Sequence, residues 1–133
     1  MSAPIKTFAQ WLPALCLAAA IFYFSSQPAA PRVSGDDGIQ LHLQKVGHLT
    51  EYALLATLIH RALRRGHNLS ARRAALLAAF LAGGYAVTDE IHQAFVPSRF
   101  CTVSDMAIDT LGGVLAVTAL YAHDTRRSQT PTR

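Results

Sequence analysis

Apolar residues fall into four long stretches of the chain, and short polar segments separate them. Joined to their flanking turns, the stretches predict four helices. Their bounds are 7–25, 41–63, 71–96 and 104–123. At about 1.5 Å per residue, each helix covers most or all of a hydrocarbon layer about 30 Å thick. The pattern therefore predicts an all-α fold, a polytopic membrane bundle of four transmembrane helices.

The stretches are unequally apolar, because polar side chains interrupt three of them. The second contains His48 and Glu51. The third loses its apolar character at Asp89, and the fourth contains Asp109. A charged group is costly inside a bilayer and normally faces the interior of a helix bundle. We therefore expect these helices to turn their polar residues toward one another.

Composition also indicates a membrane protein. Hydrophobic residues make up 51% of the chain and charged residues only 15%, whereas charged residues approach about 25% in soluble domains. The net charge of +4 does not indicate nucleic-acid binding, because the basic residues form no aromatic-flanked basic face. Cys16 lies in an apolar stretch and Cys101 in a polar loop, so neither a disulfide nor a cysteine metal site is expected.

Three connections separate the predicted helices. Residues 28–38 are rich in Pro, Gly and Asp, which is typical of an irregular loop. In the basic second connection, Ser70 is placed to cap the third helix. Pro97 is expected to end that helix, because proline cannot continue the backbone hydrogen bonding.

Positive charges are concentrated in the second connection and near both termini. They belong to Lys6, Arg61, Arg64, Arg65, Arg72, Arg73, Arg126, Arg127 and Arg133. The other connections have few cations in or beside them, namely Arg32, Lys45 and Arg99. By the positive-inside rule, both termini and the second connection are cytoplasmic. The sequence thus predicts a multi-pass protein of the inner (cytoplasmic) membrane, with N-in/C-in topology.

This topology brings three polar segments to the outer membrane face, at 45–52, 89–93 and 105–109. At about 100° per residue, the polar residues of each segment share one helix face. The three faces contain Lys45, His48 and Tyr52; Asp89, His92 and Gln93; and Asp105, Asp109 and Gly112. Gly112 and Ala116, four residues apart, also predict a surface for close helix packing.

Acids outnumber fixed cations in these segments. The acids are Glu51, Asp89, Glu90, Asp105 and Asp109. Lys45 and Arg99 are the expected partners for some of them, because an unpaired charge at this depth is penalised. Protonated histidines, shared protons or a bound cation could supply the remaining positive charge.

The polar segments also carry recognisable motifs. K-V-G-H-L-T-E-Y at 45–52, D-E-I-H-Q-A-F-V-P-S-R at 89–99 and D-M-A-I-D-T-L-G-G at 105–113 resemble the VanZ-like family of small bacterial membrane proteins. F-Y-F-S-S-Q-P at 22–28 is similar to the family's pattern as well. The resemblance covers about residues 20–120.

This resemblance implies one compact VanZ-like membrane domain, residues 1–133, with its core at about 20–122. The founding member is associated with reduced susceptibility to the glycopeptide antibiotic teicoplanin, and no established reaction accompanies the family name. The motif positions are Lys45, His48, Glu51, Tyr52, Asp89, Glu90, Gln93, Pro97, Arg99, Asp105, Asp109 and Gly112. The sequence departs from the pattern at Asp109, where many relatives carry an asparagine; if a neutral amide can serve there, a negative charge at Asp109 is not essential.

Two interpretations of the polar residues stay open. In the structural one, ion pairs and hydrogen bonds fasten the helices together at one end. In the other, they form an outward-facing pocket for a polar headgroup, in which Arg99 binds a phosphate or carboxylate and Lys45 adds a point charge. The predicted substrate-binding residues are Lys45, Tyr52, Gln93, Arg99, Asp105 and Asp109.

Whether the protein catalyses a reaction is left open by the sequence. The candidates for proton transfer are Asp89, Glu90, His48 and His92. No cofactor and no metal are expected. The weaker alternative is a divalent ion held by nitrogen and oxygen ligands from His48, Glu51, Glu90 and His92.

The leading functional hypothesis is a cell-envelope role, in glycopeptide (teicoplanin) susceptibility or in binding or modifying a lipid or envelope molecule. The alternative is a non-catalytic membrane module that modulates a partner or transports a small solute. The expected partners are membrane lipid and an envelope lipid or glycopeptide-related ligand, without nucleic acid. A second copy of the chain, in a homo-oligomer, is a further candidate partner.

Overall fold

The computed structural model describes residues 3–28, 34–99 and 101–129. The described residues form four helices, and the predicted all-α fold is confirmed. The helices are α1 (Ala3–Ser25), α2 (Asp37–Gly66), α3 (Ala71–Gln93) and α4 (Val103–Gln129). Part of the predicted loop, residues 29–33 with Arg32, lies outside the described residues, as does Arg133.

Capping residues explain where α2 and α3 begin. Ser70 caps α3 as predicted, since its Oγ accepts a hydrogen bond from the Arg73 backbone N–H at 3.4 Å. α2 begins at Asp37, four residues before the predicted Leu41. Asp36 is its N-cap, and Oδ1 of Asp36 accepts from the Ile39 N–H at 2.9 Å. The aspartates attributed to the loop therefore start the helix instead.

The end of α3 lies three residues before the predicted Val96. The helix ends at Gln93, and the chain continues in tight turns in which the Phe95 and Val96 N–H groups bond to carbonyls three residues back. Proline disfavours helical geometry in the residue that precedes it, here Val96. Pro97 therefore stops the helix before the proline itself is reached.

α2 is the central helix of the bundle, because it packs extensively against each of the other three, whereas α3 contacts α1 only slightly. Successive helices run in opposite directions, so the ends of all four meet at two places. We call the end with Ser25, Lys45, Asp89 and Asp105 the acidic end. The opposite end, with Arg64, His67, Arg72 and Asp124, is the basic end. Ser25 contacts Asp89 and Lys45 contacts Asp105 at the acidic end, and Arg64 contacts Asp124 at the basic end.

Small residues let the helices approach closely. On α3, alanines four residues apart are all buried, at positions 74, 78, 82 and 86. On α4, the backbone of Gly112 lies against Leu49 of α2, where an added Cβ would collide with the Leu49 carbonyl and lie 3.1 Å from its carbon. The close packing predicted at Gly112 is therefore present, and its neighbour is α2.

The outer surface of the bundle is apolar. Exposed large side chains include Phe8, Leu15, Phe80, Leu81, Leu111 and Leu115. α1, α3 and α4 contain segments long and apolar enough to cross a membrane, at Lys6–Ser25, Ala71–Gln93 and Val103–Arg127. α2 is less apolar, which fits a helix that packs against three others and turns less of its surface to lipid. Together these features indicate a membrane protein.

Candidate functional site

The acidic end gathers side chains from all four helices. Ser25 comes from α1, Lys45 and His48 from α2, Asp89, Glu90 and Gln93 from α3, and Asp105 and Asp109 from α4. The three segments that the sequence predicted to converge therefore lie together. Ser25 was not among the predicted site residues, although the F-Y-F-S-S-Q-P motif contains it.

Asp89 of α3 is the acid that is hydrogen-bonded to α1. Its side chain is 3% exposed. Oδ2 accepts hydrogen bonds from Ser25 Oγ at 2.8 Å and from Gln93 Nε2 at 3.1 Å. Oδ1 is buried near the Tyr52 hydroxyl, without a hydrogen bond of good geometry in the described part of the chain. Because a buried carboxylate needs donors, Ser25 and Gln93 act as supports of Asp89.

Two pairs join α2 to α4. Lys45 Nζ lies 3.3 Å from Asp105 Oδ1, and each side chain is about one-third exposed. One helical turn deeper, His48 Nδ1 lies 3.2 Å from Oδ1 of Asp109, which is fully buried. The expected pairing of Lys45 with an acid is thus present. The close approach at Gly112, one turn beyond Asp109, brings these partners within reach.

Glu90 connects α3 with the start of α4. It is 1% exposed, and its Oε2 accepts the Thr102 backbone N–H at 3.0 Å. Thr102 also accepts the Asp105 N–H at 3.1 Å through Oγ1, as a helix N-cap does. Thr102 was not predicted as a site residue, yet T-x-x-D before an apolar run is a capping signature that identifies it.

Arg99 has a different partner from the one expected. Its Nε donates to the Gln27 carbonyl at 3.1 Å and its Nη2 to the Phe24 carbonyl at 3.0 Å. Among the described residues it forms no ion pair with an acid. The physical reason is the end of α1, where the last carbonyls lack the regular helical partner four residues on and the negative pole of the helix attracts a cation. Arg99 therefore fastens the turn after α3 to α1.

Two other candidate residues are not buried with these acids, although Glu51 is near enough to His48 and Asp109 for their charges to interact. His92 stacks on Phe22 at 4.5 Å, and its Nε2 lies 3.0 Å from Ser26 Oγ. The side chain of Glu51 is exposed. The group with metal-ligand spacing in the described chain is instead His48, Glu90 and Asp109. The metal set considered from the sequence also contained His48 and Glu90, but Asp109 takes the place of Glu51 and His92.

A cavity of about 360 Å³ opens at the acidic end. It is lined by Pro28, Leu41, Gln44, Lys45, His48, Gln93, Ser98, Arg99, Thr102 and Asp105. Tyr52 and Asp109 are fully buried and do not line it. Four of the six predicted binding residues therefore line the cavity, namely Lys45, Gln93, Arg99 and Asp105.

The fold and this site define a small helical membrane protein with a polar cavity at one end of its bundle. A family model described as VanZ/LLP1 matches residues 10–123 of the chain. The chain belongs to this family, as its motifs predicted. No match was found among curated proteins or among solved structures.

Proposed function

We propose that all four helices span the inner (cytoplasmic) membrane, with both termini in the cytoplasm. α2 has 30 residues, a length of about 45 Å, which exceeds the hydrocarbon layer. All the described arginines except Arg99 belong to the basic end, whereas the buried acids belong to the acidic end. By the positive-inside rule, the basic end is cytoplasmic and the cavity opens outward.

Reporter fusions after Arg65 and after Arg99 test this topology. Arg65 belongs to the basic end, and Arg99 lines the cavity at the acidic end. A reporter active only in the cytoplasm is expected to work after Arg65, and one active only outside is expected to work after Arg99. Activity of both fusions on the same side of the membrane would contradict the four-span arrangement.

The cavity, we propose, binds the anionic headgroup of an envelope lipid or a glycopeptide-related molecule. The observation that carries this proposal is the presence of Lys45 and Arg99 on the wall of one cavity of about 360 Å³. That volume falls in the range of small-molecule sites, about 300–1,000 Å³. The planar guanidinium of Arg99 and the compact ammonium group of Lys45 are both suited to binding a phosphate or carboxylate.

Both cations keep donors for a ligand. Arg99 uses two of its N–H groups on backbone carbonyls, and a guanidinium has five. Lys45 donates to Asp105 and, as an ammonium group with three protons, retains further donors. Gln93 and His48 add polar groups to the same wall. An anion in the cavity would meet donors on more than one side.

Binding of short-chain phosphatidylglycerol to detergent-purified protein, measured by native mass spectrometry, tests the headgroup proposal. We expect Lys45→Gln to weaken binding about tenfold, since a hydrogen bond to a charged group contributes about 1.5–3 kcal/mol. Arg61→Gln is the matched control, because Arg61 is an exposed cation at the other end of α2. Phosphatidylcholine is expected to bind weakly to all variants.

Equal effects of Lys45→Gln and Arg61→Gln would show general attraction of anionic lipid and contradict a specific cavity. Teicoplanin susceptibility of a bacterial host that expresses the wild type or Lys45→Gln then connects binding to an envelope role. Incubation of purified protein with phosphatidylglycerol alone distinguishes the functional classes. A chemically altered lipid supports a reaction, whereas an unaltered lipid favours a non-catalytic module.

A further inference from the structure

Negative charge is concentrated beneath the cavity. Asp89, Glu90 and Asp109 are each at most 3% exposed. Asp89 has two side-chain donors, from Ser25 and Gln93. For Glu90 and Asp109, the hydrogen bonds in the described chain come from one backbone N–H and one imidazole. Two carboxylates in a desolvated place with so few donors favour a bound cation or a proton.

The geometry of these groups suits a single metal ion. His48, Glu90 and Asp109 each offer one ligand atom, and these atoms all lie within 4.8 Å of one another. Bonds of about 2.0–2.2 Å to one ion place its ligand atoms roughly 3 to 4.4 Å apart. Three atoms up to 4.8 Å apart have a common centre at most about 2.8 Å from each of them, so side-chain movements of less than about 1 Å would bring all three to bonding distance.

Asp109 provides an independent indication of a ligand. It is fully buried, yet its Oδ1 has no hydrogen-bond partner within the described residues. The hydrogen bond from His48 Nδ1 goes to Oδ2 at 3.4 Å, although Oδ1 is the nearer oxygen at 3.2 Å. A single imidazole thus serves both oxygens of Asp109, which is fewer donors than a fully buried carboxylate normally has.

The surroundings hold the three ligands in place. The Thr102 N–H fixes Oε2 of Glu90 at 3.0 Å, in the way that outer hydrogen bonds orient metal-binding carboxylates. Gly112 allows α4 to approach Leu49, the neighbour of His48. His48 also lines the cavity, so an ion there is reachable from the open side.

We propose that His48, Glu90 and Asp109 bind one divalent transition-metal ion, such as Zn²⁺ or Mn²⁺, at the inner wall of the cavity. Neutral imidazole with two carboxylates suits these ions better than Mg²⁺ or Ca²⁺, which prefer oxygen ligands. Two carboxylates balance the charge of the ion. With three protein ligands, the ion keeps an open position toward the cavity, where a headgroup oxygen would bind; that last step alone rests on the proposed function.

Metal titration of the purified protein tests this site without any lipid. Protein in neutral detergent, stripped with EDTA and dialysed, is titrated with Zn²⁺ and with Mn²⁺ by calorimetry. We expect one ion per chain, and His48→Gln and Asp109→Asn to weaken binding about tenfold or more. The matched controls are His42→Gln, an exposed histidine on the same helix, and Asp124→Asn, an acid at the opposite end of α4. Both controls are expected to bind as the wild type does.

Pulsed electron paramagnetic resonance of Mn²⁺ on the wild type keeps the proposal testable if a variant does not fold. Coupling of the ion to one histidine nitrogen is expected and should persist in His42→Gln. Absence of saturable binding by the folded wild type, absence of nitrogen coupling, or equal binding in all four variants would each overturn the site. A protonated His48 paired with Asp109 would then account for the contact.

The two proposals fail separately. If metal binding depends on His48 and Asp109 but phosphatidylglycerol binding does not depend on Lys45, the metal site is supported and the headgroup site is refuted. The reverse result would support the headgroup site and refute the metal site.

Discussion

The acidic and basic ends of the bundle are built alike but solvated differently. At both ends an aspartate of α4 faces a basic side chain of α2, Lys45–Asp105 at one end and Arg64–Asp124 at the other. Each end also has a cavity, of about 360 Å³ and 560 Å³. The difference lies deeper, because the acidic end alone buries three carboxylates almost completely.

Side-chain length explains this difference. Arginines at the basic end have long stems that carry the charge to water, and Arg61, Arg65 and Arg72 are exposed. Aspartate and glutamate are too short to do so from inside a helix bundle. Asp89 and Asp109 therefore depend on protein donors or on a bound partner. Burial of the acids, and not the number of arginines, therefore distinguishes the two ends.

The largest expected effect concerns helix packing at the acidic end. In Gly112→Ala the new Cβ would collide with the backbone of Leu49, which cannot rotate away. We expect a loss of about 3 kcal/mol in unfolding free energy, the upper range for overpacking. Unfolding in mixed detergent, followed by circular dichroism, measures it.

Gly66→Ala is the matched control at the basic end. A Cβ there would meet the Thr7 side chain at 3.5 Å, an ordinary contact. Its unfolding free energy should change by less than about 1 kcal/mol, within the range of a glycine-to-alanine change in a helix. Equal losses in the two variants would mean that close packing does not distinguish the ends.

A smaller effect is expected from the buried acid of α3. Asp89→Ala leaves Ser25 Oγ and Gln93 Nε2 without their shared acceptor. An unsatisfied buried donor costs about 1–3 kcal/mol, so we expect a loss of about 2 kcal/mol in unfolding free energy. Asp124→Ala, whose carboxylate is 23% exposed, should lose about 1 kcal/mol or less, as partly solvated pairs do.

Asp89→Asn distinguishes a structural role of Asp89 in helix packing from a role in ligand binding. The amide keeps one acceptor oxygen for Ser25 and nearly the same volume, so the fold should persist. If phosphatidylglycerol binding is lost while the unfolding free energy is retained, the acid belongs to a site. If both are retained, Asp89 is a structural fastener.

Much of this arrangement follows from the sequence. Helix positions follow from apolar stretches, the start of α3 follows from Ser70, and the meeting of the polar segments follows from helices that run back and forth. These are properties of single helices and of their order. They require no knowledge of how far one helix is turned or shifted against the next.

Contacts that depend on such shifts were not predictable. Arg99 binds the carbonyls of Phe24 and Gln27, and every residue has a carbonyl, so no side-chain pattern identifies these acceptors. Tyr52 shares a helix face with Lys45 and His48 but lies deeper and is completely buried. The grouping of His48 with Asp109 depends on how closely α4 approaches α2, which the contact at Gly112 determines.

The smallest expected effect concerns the ion pair at the basic end. Arg64 Nε lies 3.1 Å from Asp124 Oδ2, and the two side chains are 39% and 23% exposed. A double-mutant cycle with Arg64→Ala and Asp124→Ala should give a coupling of about 0.5 kcal/mol, typical of solvated pairs and weakened by salt. Arg64→Ala alone should cost more, because Arg64 Nη1 also donates to the Leu69 carbonyl at 2.6 Å.

The same cycle on His48 and Asp109 completes the comparison, since Asp109 is fully buried. Its coupling should exceed that of Arg64 and Asp124 and should persist in high salt, because buried pairs are screened less. If the pair at the basic end were the more strongly coupled one, burial would not be what separates the two ends. The acidic end, with its cavity beside His48, would then not differ from the basic end in the strength of its buried pair.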